Sequence, residues 1–446
     1  MSRYITFIFS LFLGLAQGPG SSYALADDIA ALMATAEGTY PAAQLTVMCV
    51  AIHPATATPT QDLVLLQKLG VHCARSDNNW DSIERVGSAG VYRWEGFDAF
   101  WSPLCKAGIR PIMIATYNNP IYAARVFAPV EGGINIAAFA NFAVAMANHY
   151  ISICPNMIEE LFNEPNESNW TTVQWSGASY ALMLAPVSAA VKAAQPRVTV
   201  YAGGLGFNPG PESTAWIRQM VGAGLKFPAV DAYAFHPYNY DQRNPAATLP
   251  PEQMLIDAKA FAQAAASSGQ RKPVALTEYG FPLPALGGDL TKQGVYTVRG
   301  MLAAIIGRYP SLTYYDLIDD GTDGSLDNTF GLFRNGASNA PYEIKPAGVA
   351  FAAIMNAMAR ASAFTIAFDP TISAPTISFE KPEGAAIVIW TYDAKGKKSY
   401  ARGIGAFKHV SCKDVFGKTY PCLYADGTLS MSLSESTGPI VVTAQK

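Results

Sequence analysis

The chain has 446 residues, half of them hydrophobic, and a formal net charge of −3. That length and apolar content allow a large buried core spread over one to three domains. No dense run of Lys and Arg occurs, which argues against a phosphate-tracking surface and a nucleic-acid partner.

The first element in chain order reads as an export signal. Arg3 precedes an uncharged apolar run over 5–16, and Ala24-Leu25-Ala26 places small residues at the two cleavage-site positions. The run is short for a membrane span. The expectation is a signal peptide over 1–26, with an uncleaved membrane anchor as the alternative, a periplasmic or secreted product, and no stable membrane association after cleavage.

From about residue 44 to about 358, β-rich apolar runs alternate with longer Ala-rich runs. The predicted strands are 45–52, 71–76, 110–116, 157–162, 199–203, 229–235, 273–277 and 312–317. Their near-continuous hydrophobicity suits strands buried on both faces, as in a parallel sheet. Helical period marks 136–150, 179–194, 251–266 and 291–308, with a kink or break expected at Pro186. Eight strands alternating with helices predict an α/β fold, a (β/α)8 TIM barrel over 27–358. An open doubly wound sheet shares the local signature. Beyond 359 the runs shorten and are separated by Gly, Asp, Lys and Pro, which predicts a small β-sandwich over 359–446.

Six cysteines, an even number, fit an oxidising compartment. Cys412 and Cys422 flank a predicted hairpin, and Cys105 and Cys154 each precede a predicted strand, so each pair is a candidate disulfide. Cys49 and Cys73 lie inside predicted strands, where a buried thiol acts as a small hydrophobe. The spacings do not suit a zinc cluster. No metal and no cofactor is expected.

In a parallel barrel the reactive side chains stand at the C-terminal ends of strands. The fourth predicted strand ends in Asn163-Glu164-Pro165-Asn166, and the seventh in Glu278-Tyr279-Gly280-Phe281. Both glutamates therefore point to one mouth. Glycoside hydrolysis requires such a pair, one carboxylic acid to protonate the leaving oxygen and one carboxylate to act on the opposite side.

The run LFNEPN (161–166) resembles the acid/base strand of glycoside hydrolase clan A, and LTEYGF (276–281) resembles its nucleophile strand. AFHPY (234–238) is similar to the sixth-strand motif and CARSDNNWDSIE (73–84) to the second-strand region. YYDLIDDG (314–321), NTFGLF (328–333) and KPA (345–347) look like the eighth-strand loop and last helix. Within the clan the resemblance leans toward family 39 and related secreted exopolysaccharide glycosidases. It implies retention of anomeric configuration, with Glu164 as acid/base and Glu278 as nucleophile. It also implies Arg75 and Tyr238 holding Glu278 ionised, Asn163 donating to the sugar 2-hydroxyl, and His236 beside the nucleophile. Two departures stand out. Phe162 replaces the Trp that often precedes Asn-Glu-Pro, and Tyr314-Tyr315-Asp316 replaces the eighth-strand Trp.

Further expected sugar contacts follow predicted strands: Trp80, Tyr117, Asn118, Asn119, Trp170, Tyr240 and Phe281, with His53 a weaker candidate. Asp319 or Asp320 either binds a sugar hydroxyl or caps a loop. Trp94, Trp101 and Trp216 read as packing residues, and Glu159, Glu160 and Glu167 as structural or rim charges. The function expected is hydrolysis of β-glycosidic bonds in a polysaccharide or oligosaccharide, with endo-action favoured. The alternatives are an exo-acting β-glycosidase such as a β-xylosidase, and, from another class, a non-catalytic carbohydrate-binding barrel.

Overall fold

The computed structural model describes residues 19–446 except 55, 118, 123–133, 168–175, 207–210, 241–243, 337–341 and 393–395. Within it, β1 (Gly38–Pro41) precedes eight parallel strands that close into a barrel. These are β2 (Val47–Ala51), β3 (Cys73–Asn79), β4 (Arg110–Thr116), β5 (Ile158–Asn163), β6 (Thr199–Gly206), β7 (Ala232–His236), β8 (Val274–Tyr279) and β9 (Ser311–Tyr314). Closure runs through β9, whose Leu312 and Tyr314 pair with Met48 and Val50 of β2. That register excludes the open sheet.

An inner layer of Cys49, Cys73, Ile112, Ile158, Tyr201, Ala232, Ala234 and Ala275 fills the barrel. The larger cluster lies between the strands and the surrounding helices. Helix Gly177–Ala194 passes a membrane span's length and hydropathy test, yet Tyr180, Met183, Leu184, Val187 and Val191 are fully buried. The break expected at Pro186 does not occur; the helix runs through it. The carbonyl that Pro186 leaves without its donor belongs to Leu182, which is 40% exposed and so open to water.

The remaining strands are β10 (Ala363–Asp369), β11 (Ala374–Lys381), β12 (Gly384–Ile389), β13 (Lys398–Gly403), β14 (His409–Asp414), β15 (Cys422–Ala425), β16 (Thr428–Leu433) and β17 (Ile440–Gln445). They form antiparallel sheets in the orders β1-β10-β11-β12-β17-β14 and β13-β16-β15. The six-stranded sheet thus takes its edge strand from residues 38–41, a segment the sequence division assigns to the barrel. Tyr40 stacks at a tilt on Phe364 across that edge. Trp390, Tyr392 and Tyr400, the aromatic residues that a sugar-binding module would display, are all buried. Trp390 Nε1 donates to Glu252 Oε1 at 2.9 Å, and Arg299 bridges Glu252 and Glu435, so the sheet is fastened to the barrel helices.

All six cysteines are paired: Cys49–Cys73, Cys105–Cys154 and Cys412–Cys422. The first pair corrects the expectation of free buried thiols. Neighbouring strands β2 and β3, in register at Val50 and Ala74, set both side chains inward and side by side. Cys412 and Cys422 do not face each other across one extended hairpin. Beyond the turn, β14 joins the larger sheet and β15 the smaller, so the bond ties the two sheets together. Loop-closure entropy over the 49-position separation of Cys105 and Cys154 corresponds to about 4 kcal/mol of stability. The Cys105→Ala, Cys154→Ala double variant is therefore expected to unfold at markedly lower urea concentration with an unchanged far-UV spectrum.

The expected cleavage point after Ala26 falls within a helix, Pro19–Thr35, whose Ile29 and Met33 are buried. Residues 1–18 lie outside the described residues.

Candidate active site

Strand alternation decides which side chains reach the barrel mouth. On β5, Ile158 belongs to the inner layer and Glu160 also points inward, so Glu159 faces the helices. Glu159 is fully buried there with no hydrogen-bond partner, and burial pushes its carboxyl well above the ordinary range. Glu160 has the opposite environment. Its Oε2 accepts from Arg75 Nε at 2.9 Å, and its Oε1 accepts from Arg75 Nη2, Gly204 N and Thr277 Oγ1 at 3.0, 2.9 and 3.1 Å.

Arg75, 3% exposed at the middle of β3, links this buried base to the mouth. Its Nη1 donates to Glu278 Oε1 at 2.6 Å, and its Nη2 to Asn163 Oδ1 at 2.7 Å. Tyr238 donates to the other oxygen, Glu278 Oε2, at 2.8 Å. Burial alone drives the Glu278 carboxyl upward, but the His236 ring, the Arg75 guanidinium and the Tyr238 hydroxyl together hold it below the ordinary value. Asn163 uses its amide to donate to the Tyr117 hydroxyl at 3.2 Å.

Glu164 comes one residue after the strand in a left-handed backbone conformation, φ 42°, and Phe162 has φ 80°. Such conformations cost about 1 kcal/mol or more in non-glycine residues and persist where surrounding contacts enforce them. Here the Glu164 amide donates to Gly204 O at 2.8 Å, while Phe162 is wholly buried against Phe139 and Tyr117. A Cβ at Gly204 would stand 2.0 Å from His236 Nε2 and 2.6 Å from Glu160 Oε1, so only glycine fits between these two side chains. His236 is itself fully buried. Its Nδ1 lies 2.9 Å from Glu164 Oε1 and 3.6 Å from Glu278 Oε2, and its Nε2 lies 3.1 Å from Thr277 Oγ1. One carboxylate oxygen of Glu164, one of Glu278 and a His236 nitrogen all fall within 4.8 Å of one another. The tertiary structure assembles this cluster around His236 from residues 72 and 42 positions away.

The structure thus brings Arg75, Tyr117, Asn163, Glu164, His236, Tyr238 and Glu278 together. Other expected contacts do not reach the mouth. Trp80 is fully buried, stacked on Tyr122 and Phe142 with its Nε1 donating to Glu84 Oε2. Asn119 is buried too and donates to the Glu84 carbonyl at 2.7 Å. Phe281 packs beneath the mouth against Tyr279 and Tyr296. Strand ends that turn into short helices fold these side chains back under the loops. Trp80→Ala is accordingly expected to cost about 3–5 kcal/mol in urea unfolding and to leave KM unchanged. Asp319 resolves as a loop cap: its Oδ1 accepts from Lys345 Nζ and Gly331 N, both at 2.8 Å. Asn118 and Trp170 lie outside the described residues. Trp101 and Trp216 are buried packing residues, as their helical positions predict.

Two side chains near the mouth were not among the expected sugar contacts. Asp77, two residues after Arg75 on β3, carries a carboxyl that burial pushes up to about 6 against the pull of Arg75 and His53. Tyr315 stands half-buried at the end of β9, edge-on to Phe330 and His53, with its hydroxyl donating to Asp320 Oδ2 at 3.1 Å. Alternation along β3 could have revealed Asp77; Tyr315 depends on the bend after β9, which has no local signature.

Residues 115–315 match the family model of cellulase (glycosyl hydrolase family 5), a span that contains both glutamates. No curated protein matches the chain in sequence. Among solved structures, a family 39 glycoside hydrolase from Bacteroides cellulosilyticus is similar at 22% identity and TM-score 0.68, covering 91% of this chain and 82% of that one. A monomeric beta-xylosidase from Caulobacter crescentus is similar at 14% identity and TM-score 0.67, covering 91% and 97%. A family 30 endoxylanase from Clostridium papyrosolvens follows at 12% identity and TM-score 0.59, covering 92% and 98%. These likenesses establish the fold, a TIM barrel with β-sandwich sheets. The motifs lean toward family 39, the matching family model is that of family 5, and both belong to clan A. The chain carries a glycoside hydrolase domain.

Proposed function

We propose that this glycoside hydrolase cleaves β-glycosidic bonds with retention of configuration, using Glu278 as nucleophile and Glu164 as acid/base. The observation that carries the reading is the approach of the two carboxylates, with oxygens within 4.8 Å. Retaining enzymes hold their carboxyl groups about 5–5.5 Å apart, whereas inverting ones need about 6.5–9.5 Å to admit a water.

The hydrogen-bond chain assigns the protons. Glu160, ion-paired with Arg75, accepts from Thr277, whose single hydroxyl proton is thereby used. Thr277 Oγ1 must then accept from His236 Nε2–H, which leaves Nδ1 facing Glu164 Oε1 across 2.9 Å. Glu164 and His236 Nδ1 share one proton along that line, available for the leaving oxygen. Glu278, anionic between Arg75 and Tyr238, attacks the anomeric carbon and forms the glycosyl-enzyme. Glu164 then takes a proton from the incoming water. Asn163, Tyr117 and Tyr315 are positioned to orient the sugar, with Tyr315 offering an aromatic face in place of the missing eighth-strand Trp.

Endo-action on a polysaccharide is the favoured mode, and three disulfides, which persist in oxidising compartments, support action outside the cytoplasm. Asp77 and Asp320 set acidic side chains beside the mouth, which favours a neutral chain over a uronate-rich one. The test is incubation of residues 27–446 with a panel of polysaccharides, following products by mass spectrometry and their anomeric configuration by early-time NMR. Long products with retained configuration are expected. Single-sugar release would replace endo- with exo-action. Inverted products would rule out the nucleophile role.

A further inference from the structure

We propose that His53, Asp316 and Asp320 form a binding site for one divalent transition-metal ion, at the seam where the first and last barrel strands meet. His53 follows β2 by two residues, and Asp316 and Asp320 follow β9, its partner across the closure. One donor atom from each of the three lies within 4.8 Å of the others. His53 Nε2 and Asp316 Oδ2 are 3.8 Å apart. Two ligands held about 2.1 Å from a common ion stand no more than about 4.2 Å apart, so the His53–Asp316 pair already has a ligand spacing and Asp320 lies within a small side-chain shift of it.

The independent sign of a missing ligand is Asp316. Its side chain is wholly buried, yet neither carboxylate oxygen has a hydrogen-bond partner, and His53 Nε2 is likewise buried and unpartnered. Burial pushes the Asp316 carboxyl well above the ordinary range, because it lacks the cation or the several donors that a buried carboxylate normally finds. The nearest protein cation does not serve, since Lys345 Nζ is committed to Asp319 Oδ1 and the Thr329 carbonyl at 2.8 and 3.0 Å. The backbone here is already fixed: Leu332 N donates to Asp316 O, Leu317 N to Ala51 O, and Thr56 N to His53 O. The backbone that carries His53 and Asp316 is therefore preformed, and half-exposed His53 and Asp320 leave the site open to solvent. The other His–carboxylate group, around His236, differs: Arg75, Tyr238 and Thr277 already satisfy it.

An imidazole with two carboxylates suits Zn²⁺ or Mn²⁺, whereas Ca²⁺ and Mg²⁺ prefer oxygen donors alone. Bound there, the ion would clamp β2 to the loop after β9 beside Tyr315.

The chelator-stripped full chain would be titrated with Zn²⁺ and with Mn²⁺ in a calorimeter, and its melting temperature followed. The expected result is one ion per chain with a raised melting temperature for at least one of the two metals. Outer-shell changes alone weaken metal sites by about 10–100-fold, so Asp316→Asn, which removes a ligand, should exceed that loss. In EDTA, Asp316→Asn should melt no lower than the wild type, because the substitution removes an unpartnered buried carboxyl. Should it melt lower, the half-exposed Asp320→Asn carries the same comparison. Glu164→Gln should bind like the wild type. A stripped wild type that binds neither ion overturns the proposal, as does binding that survives both Asp316→Asn and Asp320→Asn.

Discussion

Glu278→Ala is expected to lower kcat/KM on any productive substrate by about 10⁴–10⁶-fold, the scale on which loss of a nucleophile acts. The reason is geometric. Glu278 is the carboxylate held ionised by the His236 ring, Arg75 and Tyr238, and no other carboxylate replaces it on that side of the mouth among the described residues. Glu164→Ala should behave differently. Its loss should be about 10²–10⁴-fold on a natural sugar leaving group and much smaller on an activated aryl glycoside, whose departing oxygen needs no proton. Measuring both variants on both substrates checks the assignment. Equal losses for Glu164→Ala on the two substrates would remove it from the acid role, and an active Glu278→Ala would remove the nucleophile.

Arg75→Met is expected to be the most damaging change outside the carboxylate pair. It leaves Glu160 and Glu278 facing each other in the barrel without their cation, and breaking a buried ion pair this way costs about 3–5 kcal/mol. The sign of its pH dependence follows from Glu278. In the wild type the folded carboxyl is held below its unfolded value, so it contributes stability above that value and loses it only as pH falls through the folded one. Without Arg75, burial gains relative weight and the carboxyl moves up. The variant's acidic limb of kcat/KM should therefore shift to higher pH. If the carboxyl rises past its unfolded value, mild acid should recover part of the lost stability. Urea unfolding and rate profiles between pH 4 and pH 8 test both. An acidic limb that stays in place would show that Arg75 does not govern the nucleophile.

How much of this could be read from the chain depends on the range of the forces involved. The eight barrel strands were legible because parallel strands buried on both faces must be apolar along their whole length, a local property of runs such as 110–116 and 157–162. The positions of Glu164 and Glu278 were legible for a related reason: a parallel strand delivers the residues around its C-terminal end to one end of the barrel whatever else the chain does. The even cysteine count foretold bonding but not the Cys49–Cys73 bond, since that requires knowing that β2 and β3 are neighbours with inward-facing sulfurs.

Burial beyond the strand ends was not legible. Trp80, Asn119 and Phe281 leave their strands as Tyr117 and Tyr238 do, but the loops fold back and cover them, and the free energy that decides this is packing against distant helices. Asp319 met Lys345 instead of solvent for the same reason. The sequence by itself determined the alternating architecture, the barrel mouth and the placement of Glu164 and Glu278 at it, all consequences of period-two side-chain alternation and backbone direction. Only the tertiary structure decided which cations and donors surround those carboxylates, that Glu160 rather than water balances Arg75, and that His53, Asp316 and Asp320 converge across the seam. Electrostatic and hydrogen-bond partners act over a few ångströms in space, and strand pairing alone brings residues hundreds of positions apart within that distance.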